Sequence, residues 1–595
     1  MKKSLLGLVV LLTLSMTARS QVKIGFEVSF IEPQAHYAEV QMNISGLNKD
    51  YIDVKMPVWA PGSYLVREFA KNVEGFKAQA AGKAVKSQKI DKNTWRIYNA
   101  KANAVKINYR VYGFEVSVRT SFIDESHAFL SSTGIFMYPE GMIKTPSTVK
   151  IIPFKGWSKV STGLEPVKGQ QFTYYASDFD ILFDSPIEVG NQDIFEFTAA
   201  GVRHEVAMVG GGNYDKERLK VDMAKVVEAS TAVYGENPNK HYTFIVHHFQ
   251  RGGGGLEHIN STVLGASREQ YTSERGYTGF LNLVAHEYYH LWNVKRLRPV
   301  ALGPFDYSKE NYSTNLWISE GYTAYYENKI MLNAGLIDAD TFINNLATAV
   351  ANVENTPGAK VQTVAEASFD AWIKFYRPNE NSNNATISYY SKGEVVGLIM
   401  DLEIAQATKG AKSLDDVMKA MYLQGKTLKR GYTDAEFKAM VEKISGISFT
   451  DFYAKYVNGT HPVEYQKYFG YAGIKVKNEN EGTSIPYVGI ASRKADGGVL
   501  ITAISRNSAA WVGGLNVNDQ VISVDGVPVE ASVERMPVIT GKKVGDVVKF
   551  QVLRDGLPKT FSVTLKANPN INLIATLDDQ ATAQQLSVRK RWFGN

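Results

Sequence analysis

No cysteine occurs among the 595 residues, which excludes disulfides, thiolate nucleophiles, iron–sulfur clusters and Cys-ligated zinc together. Any metal site must therefore be built from Asp, Glu or the ten histidines. Long apolar runs are missing too. The run at 5–14 is too short to span a membrane, no other segment approaches ~18 apolar residues, and a lipid anchor on a lipobox Cys is excluded, so no stable membrane insertion is expected. Met1-Lys2-Lys3 before that run and Ala18-Arg19-Ser20 after it give 1–20 the layout of a secretory signal peptide. Cleavage before Gln21 removes three cations (Lys2, Lys3 and Arg19) and no acid, so the formal charge falls from +6 to +3. A nearly balanced chain argues against a nucleic-acid partner. The protein is expected to be exported, either periplasmic or secreted, and an oxidising compartment permits disulfides without requiring them.

Apolar residues at 44% and aromatics at 11% can fill large cores, and the length suggests about four domains at ~150 residues each. The expected architecture is multidomain α+β. From 21 to 207 the pattern is strand-like, with Val22, Ile24, Phe26, Val28 and Phe30 alternating with other residues and Val40, Met42 and Ile44 alternating again. An amphipathic helix ending at Gly235, a strand at 242–249, the glycine run 252–255, a further strand-like segment to about 264 and a helix over 278–295 fill 208–335. Helices dominate 336–475, where Thr433 and Glu436 form a capping box and Gly446 a stop. KNENEGTSIP at 477–486 reads as a linker, and short strands return at 498–504, 520–524 and 547–552. The tail 568–595 carries no pattern.

The central motif is His286-Glu287-Tyr288-Tyr289-His290 within the apolar-periodic stretch FLNLVAHEYYHLW. Its two imidazoles, four residues apart, share one helical face and can reach one zinc ion. Glu287 lies about 100° around the helix from His286, where a carboxylate faces the attacking water as a general base. A third ligand is needed, and Glu310, Glu320 and Glu327 are the candidates. Glu320 is favoured because it interrupts the apolar face of Leu316, Trp317, Thr323 and Ala324, and a buried carboxylate needs a partner.

HEYYH followed by SEGY resembles the gluzincin metallopeptidases, in which two helices supply two His and one Glu to zinc. The 29 residues between His290 and Glu320 exceed the about 18 usual in that clan. The spacer WNVKRLRPVALGPFDY and the segment MPVWAPGSYLVREF at 56–69 are similar to the glycyl aminopeptidase family, so the resemblance runs over nearly the whole chain. It implies a β-rich N-terminal domain, a thermolysin-like zinc-peptidase catalytic domain with one catalytic ion, and a helical domain. The glycine run leading into Gly255-Leu256-Glu257-His258 lets a substrate backbone approach an exposed carboxylate. Beside such a zinc helix it resembles an exopeptidase motif, which implies that Glu257 binds the free α-ammonium of a peptide and that Gly255 lies along the substrate. His258 and Asn260 line the same edge or serve structure alone. Tyr390-Ser391-Lys392-Gly393 is similar to the aminopeptidase N segment carrying the transition-state tyrosine. That assigns Tyr390, with Tyr389 as the neighbour a one-residue slip would select.

Residues 484–567 resemble a PDZ domain, notably GGVLITAISRNSAAWVGGL followed by NDQVISVDGVPV. Its expected ligand is a peptide C-terminus at the loop Tyr487-Val488-Gly489-Ile490, unless the module serves only packing. The function implied is an exported zinc aminopeptidase preferring small N-terminal residues such as Gly or Ala. A thermolysin-like endopeptidase and a non-catalytic PDZ-bearing scaffold are the alternatives. Lys295, Arg296 and Arg298 in the spacer are expected to make structural contacts.

Overall fold

The computed structural model describes residues 22–594; the expected signal peptide lies outside them. The alternation read at the start of the chain becomes the inner face of an eight-stranded sheet. Lys23–Ser29 pairs antiparallel with Tyr37–Ser45 and parallel with Ser147–Ile152, in a register that sets Ile24 opposite Ile44, Phe26 opposite Met42 and Val28 opposite Val40. All six are buried, as a period of two requires when one face covers a core. Two four-stranded sheets complete this β-rich domain.

A five-stranded sheet follows, in the order Asp193–Ala199, Val202–Val209, His241–Phe249, Ser261–Ser267, Gly255–Glu257. The expected division at 207/208 is corrected by this order, because it falls inside the strand Val202–Val209. That strand pairs parallel with His241–Phe249, so the hairpin from Asp193 onward belongs to the second domain. Its hydropathy resembles that of the preceding strands, so only the pairing marks the change of sheet. Gly255–Glu257 is the sheet's edge, antiparallel to Ser261–Ser267. On the helix Lys216–Tyr234, the N-cap Asp215 accepts from two backbone N–H groups and Gly235 closes the C-terminus at φ +81°.

In the helical region, Tyr389–Ala407 is buried on most of its circumference and acts as a central strut. Asp434–Ser445 carries the Thr433/Glu436 capping box and ends at Gly446 in the left-handed conformation. The strands expected near the C-terminus form at Gly498–Ile504, Gln520–Val524 and Val547–Arg554. The first residues read as linker are instead the end of a strand, Ile474–Asn478, which pairs antiparallel with Leu573–Leu577. The PDZ module is therefore an excursion between the two strands of one ribbon. Asn344 fixes that ribbon to the helix Ala339–Glu354 by exchanging two hydrogen bonds with the backbone of Ala575, each 3.0 Å.

The stretch read as a patternless tail is thus corrected as well. After the returning strand, the helix Ala583–Phe593 packs on the helical core. Trp592 is 0% exposed, its Nε1–H donates to Tyr325 Oη at 2.8 Å, and Tyr325 in turn donates to Asp401 at 2.6 Å. Its ring meets Phe342 and Phe593 at 5.2 and 5.3 Å. Trp592→Ala is expected to cost about 3–5 kcal/mol, read as a lower urea midpoint for the helical region. An unchanged midpoint would show the terminal helix to be dispensable.

Candidate active site

The helix Glu274–Tyr289 opens on Ser273, whose Oγ accepts from the Gly276 N–H at 3.1 Å; it ends short of the 295 expected, its last turn carrying His286 and its C-cap being His290. Their ring centroids are 4.8 Å apart, as spacing by four residues requires. Each Nδ1 is engaged, with Glu327 Oε2 for His286 and with the backbone oxygen of Asn293 for His290, both at 2.7 Å. Those bonds hold the protons on Nδ1 and leave both Nε2 atoms free to ligate. They lie 3.8 and 3.2 Å from Glu320 Oε2. Of the three carboxylates weighed as third ligand, Glu320 is the one that converges with both histidines. Glu327 instead orients His286, and Glu310 lies in the irregular stretch before Trp317.

Glu320 sits in a single π turn, Trp317–Gly321, which runs into the helix Tyr322–Asn333. Such turns recur at functional sites because they re-aim one side chain within a helix. A Cβ on Gly321 would overlap the backbone of Gly393, and one on Gly393 would overlap Gly321 and Trp317. The glycine of SEGY and the glycine after Tyr390-Ser391-Lys392 are therefore in direct backbone contact, and this brings the first turn of Tyr389–Ala407 against the turn that carries Glu320. The Tyr390 ring stacks on His286 at 6.4 Å.

Glu287 is 4% exposed and Glu257 3%. Ligating atoms of Glu257, Glu287 and His290 lie within 4.8 Å of one another. Gly255 is forced by this crowding, since a Cβ there would overlap the Glu287 carboxylate. Glu287 Oε2, Glu320 Oε1 and Glu257 Oε1 are all buried without a hydrogen-bond partner among the described residues. Lys295 Nζ approaches the last of these only to 3.8 Å, beyond hydrogen-bond range.

His286 and His290 presenting Nε2, with Glu320 and its spare oxygen, form a donor set that fits a divalent cation, and Glu257 and Glu287 leave two further buried oxygens beside it. Burial opposes the charge on Glu320, but His290 and His286 outweigh it and hold the carboxyl at about 2. Burial pushes Glu287 up to about 7 against the pull of the same two rings.

Profiles of two domains of one peptidase family match this chain: the peptidase M61 N-terminal domain over 25–191 and the M61 glycyl aminopeptidase domain over 279–396, with a PDZ domain over 486–565. The chain carries the N-terminal and catalytic domains described for M61 glycyl aminopeptidases. A crystal structure of an aminopeptidase N family protein from Idiomarina loihiensis is similar throughout, at 28% identity and a TM-score of 0.89, covering 96% of this chain and all of that one. An M1 zinc metallopeptidase from Deinococcus radiodurans is far less similar, at 12% identity and a TM-score of 0.44 over 71% of this chain and 90% of that one. Among curated proteins, serine endoprotease DegS of Escherichia coli (strain K12) is 31% identical over 98 residues, 14% of this chain and 28% of that protein. This chain spans about a quarter of the length of such relatives.

The segment 56–69, inside the match to the family's N-terminal domain, holds the two large parts of the chain together. The Trp59 Nε1–H donates to the Asp306 carbonyl and the Val58 N–H to that of Tyr307, at 2.8 and 2.9 Å, so the N-terminal domain docks on the spacer. Gly62, at φ +87°, then lies against Glu257 so closely that a Cβ would overlap the carboxylate. The spacer cations make structural contacts. Lys295 binds Asp184 of the N-terminal domain at 2.8 Å, Arg296 binds Asn239 at 2.6 Å, and Arg298 covers the Phe305 ring. Burial opposes the Asp184 charge, yet Lys295 and His258 together hold it at about 2. His258 serves this contact, and Asn260 donates to the Gly163 carbonyl at 3.3 Å.

Arg119, for which the sequence carries no local signal, reaches from the N-terminal domain to donate to the Gly255 carbonyl at 3.1 Å. The roles of Glu327 and Gly62 likewise depend on partners distant in the chain. The glycines of SEGY and of the Tyr390 segment were visible signals whose meaning required the contact between them.

Proposed function

We propose that this protein is a zinc aminopeptidase that removes the first residue of peptides with a free N-terminus, using one catalytic ion. Glu257 carries the reading. It is a nearly inaccessible carboxylate with one unpartnered oxygen, a few ångströms from the proposed base, at the end of an edge strand. A peptide lying along Gly255–Glu257 as an added strand would bring its α-ammonium to that oxygen by a charge-assisted hydrogen bond. Glu257 and Glu287 are then close enough that the bond facing the base is the first one. Gly62, packed behind Glu257, supports closure of the cleft on that side and disfavours an endopeptidase.

His286, His290 and Glu320 would hold the ion, which when bound supplies Lewis acidity to the scissile carbonyl and to the attacking water. Glu287 accepts the proton of that water and returns it to the departing amine. Burial raises the pKa of the Glu287 carboxyl, the direction that suits a group that must both take and give a proton. The Tyr390 hydroxyl donates to the oxyanion as it forms. Preference for Gly or Ala follows from the family match, and export from the leader-like residues 1–20.

The test is hydrolysis of glycyl and alanyl anilides beside their N-acetylated forms, with and without chelator, in wild type and Glu257→Ala. The free-amino substrates should be cleaved and the blocked ones spared, chelator should abolish turnover, and Glu257→Ala should lower kcat/KM by about 10²-fold, the scale of losing a buried ion pair. Equal wild-type cleavage of blocked and free substrates would point to the endopeptidase. A protein without metal and inert on all of them would be the scaffold.

A further inference from the structure

The PDZ loop Tyr487-Val488-Gly489-Ile490 turns three backbone N–H groups toward one point. Gly489 permits this, since its φ is +85° and a Cβ there would overlap Ser508. The strand that follows, Ile490–Ala495, is the edge of its sheet and pairs with Gly498–Ile504 alone. An extended peptide added along this edge would deliver its terminal carboxylate to those three N–H groups.

The place is already taken by a carboxylate of the chain itself. The Val488 N–H donates to Glu534 Oε2 at 3.1 Å, and those of Gly489 and Ile490 donate to Glu534 Oε1 at 2.6 and 3.2 Å. Glu534 is the middle residue of the 3₁₀ turn Val533–Arg535, anchored by the buried Val533 on one side and Met536 on the other. Three donors on two oxygens reproduce what a peptide C-terminus would offer, and such charge-assisted bonds are about twice as strong as neutral ones.

We propose that Glu534 is an internal ligand that caps the carboxylate nest, so that a partner bearing a free C-terminal carboxylate binds this PDZ domain only by displacing it. Binding is then reduced by the fraction of molecules in which the nest is open. Among the described residues no strand pairs on the outer side of Ile490–Ala495, and the cap acts on the carboxylate position. The inference rests on the PDZ domain and is independent of the peptidase reading.

The test uses the full chain carrying Glu287→Gln, so that the probe is not consumed. The probe is a fluorescein-labelled octapeptide ending in Ala-Val-Val, supplied as the free acid and as the C-terminal amide and followed by fluorescence anisotropy. With Glu534→Ala the free acid should bind at least about tenfold tighter than with Glu534 intact, while the amide gains nothing. Glu534→Gln, which keeps one accepting oxygen and the shape of the turn, should fall between the two. Equal affinity with Glu534 and with Ala, a gain shared by acid and amide, or no binding by any variant would each overturn the proposal.

Discussion

Glu287→Gln is expected to lower kcat by about 10²–10⁴-fold, the range of general acid–base catalysis, while metal content stays at the wild-type level. The substitution is nearly isosteric and leaves His286, His290 and Glu320 untouched, so the donor set survives. The amide fits the space that Gly255 leaves open, and the Glu287 oxygen without a partner loses no hydrogen bond by the change. What disappears is a group able to take a proton from water and return it to the leaving nitrogen. Burial holds that group near 7 in place of the usual carboxylate range. Metal analysis and steady-state kinetics on one preparation make the check. Turnover near wild type would move the role of base to another group, and Glu257, whose carboxylate lies in the same small cluster, would be the first to examine. Loss of metal along with activity would instead give Glu287 a part in the donor set.

The parts of this site legible in the sequence are those fixed by local periodicity. Two imidazoles four residues apart on an apolar-periodic helix have little freedom in where they point, and alternating Ile24, Phe26 and Val28 have little in which face they bury. Glu320 was legible as a carboxylate interrupting an apolar face, though Glu327 fitted the spacing as well. Their roles separated only in three dimensions, where one reaches both Nε2 atoms and the other an Nδ1. Gly62 and Arg119 stayed unread because each acts on a partner far along the chain, Glu257 for the first and Gly255 for the second. The terminal helix escaped for a related reason. Its fixing residue, Trp592, answers to Tyr325, and neither residue carries a local signal of the other. The division between the first two domains was misplaced because strands of both sheets alternate alike, and which sheet a strand joins depends on pairing.

Tyr390→Phe is expected to lower kcat by about 10²–10³-fold with little change in KM, the cost of removing one oxyanion donor. The expectation rests on how the residue is held. It lies in the first turn of Tyr389–Ala407, where Ser388 caps by accepting from the Ser391 N–H, and its ring is stacked between His286 and Phe375 at 6.4 and 5.5 Å. Phenylalanine keeps that stack, and only the hydroxyl is lost. Burial, reinforced by the Glu320 charge, drives the Tyr390 phenol well above its ordinary range. The group is therefore a protonated donor at neutral pH. Tyr389 supplies the control. Its ring lies 4.7 Å from that of Tyr390, it is fully buried, and among the described residues its hydroxyl has only the Tyr376 hydroxyl nearby, without good hydrogen-bond geometry, so Tyr389→Phe removes at most a weak contact. That variant should retain most of the wild-type turnover. If both variants lose activity equally, the tyrosine pair serves packing; if Tyr389→Phe alone is impaired, the donor is one residue earlier in the helix.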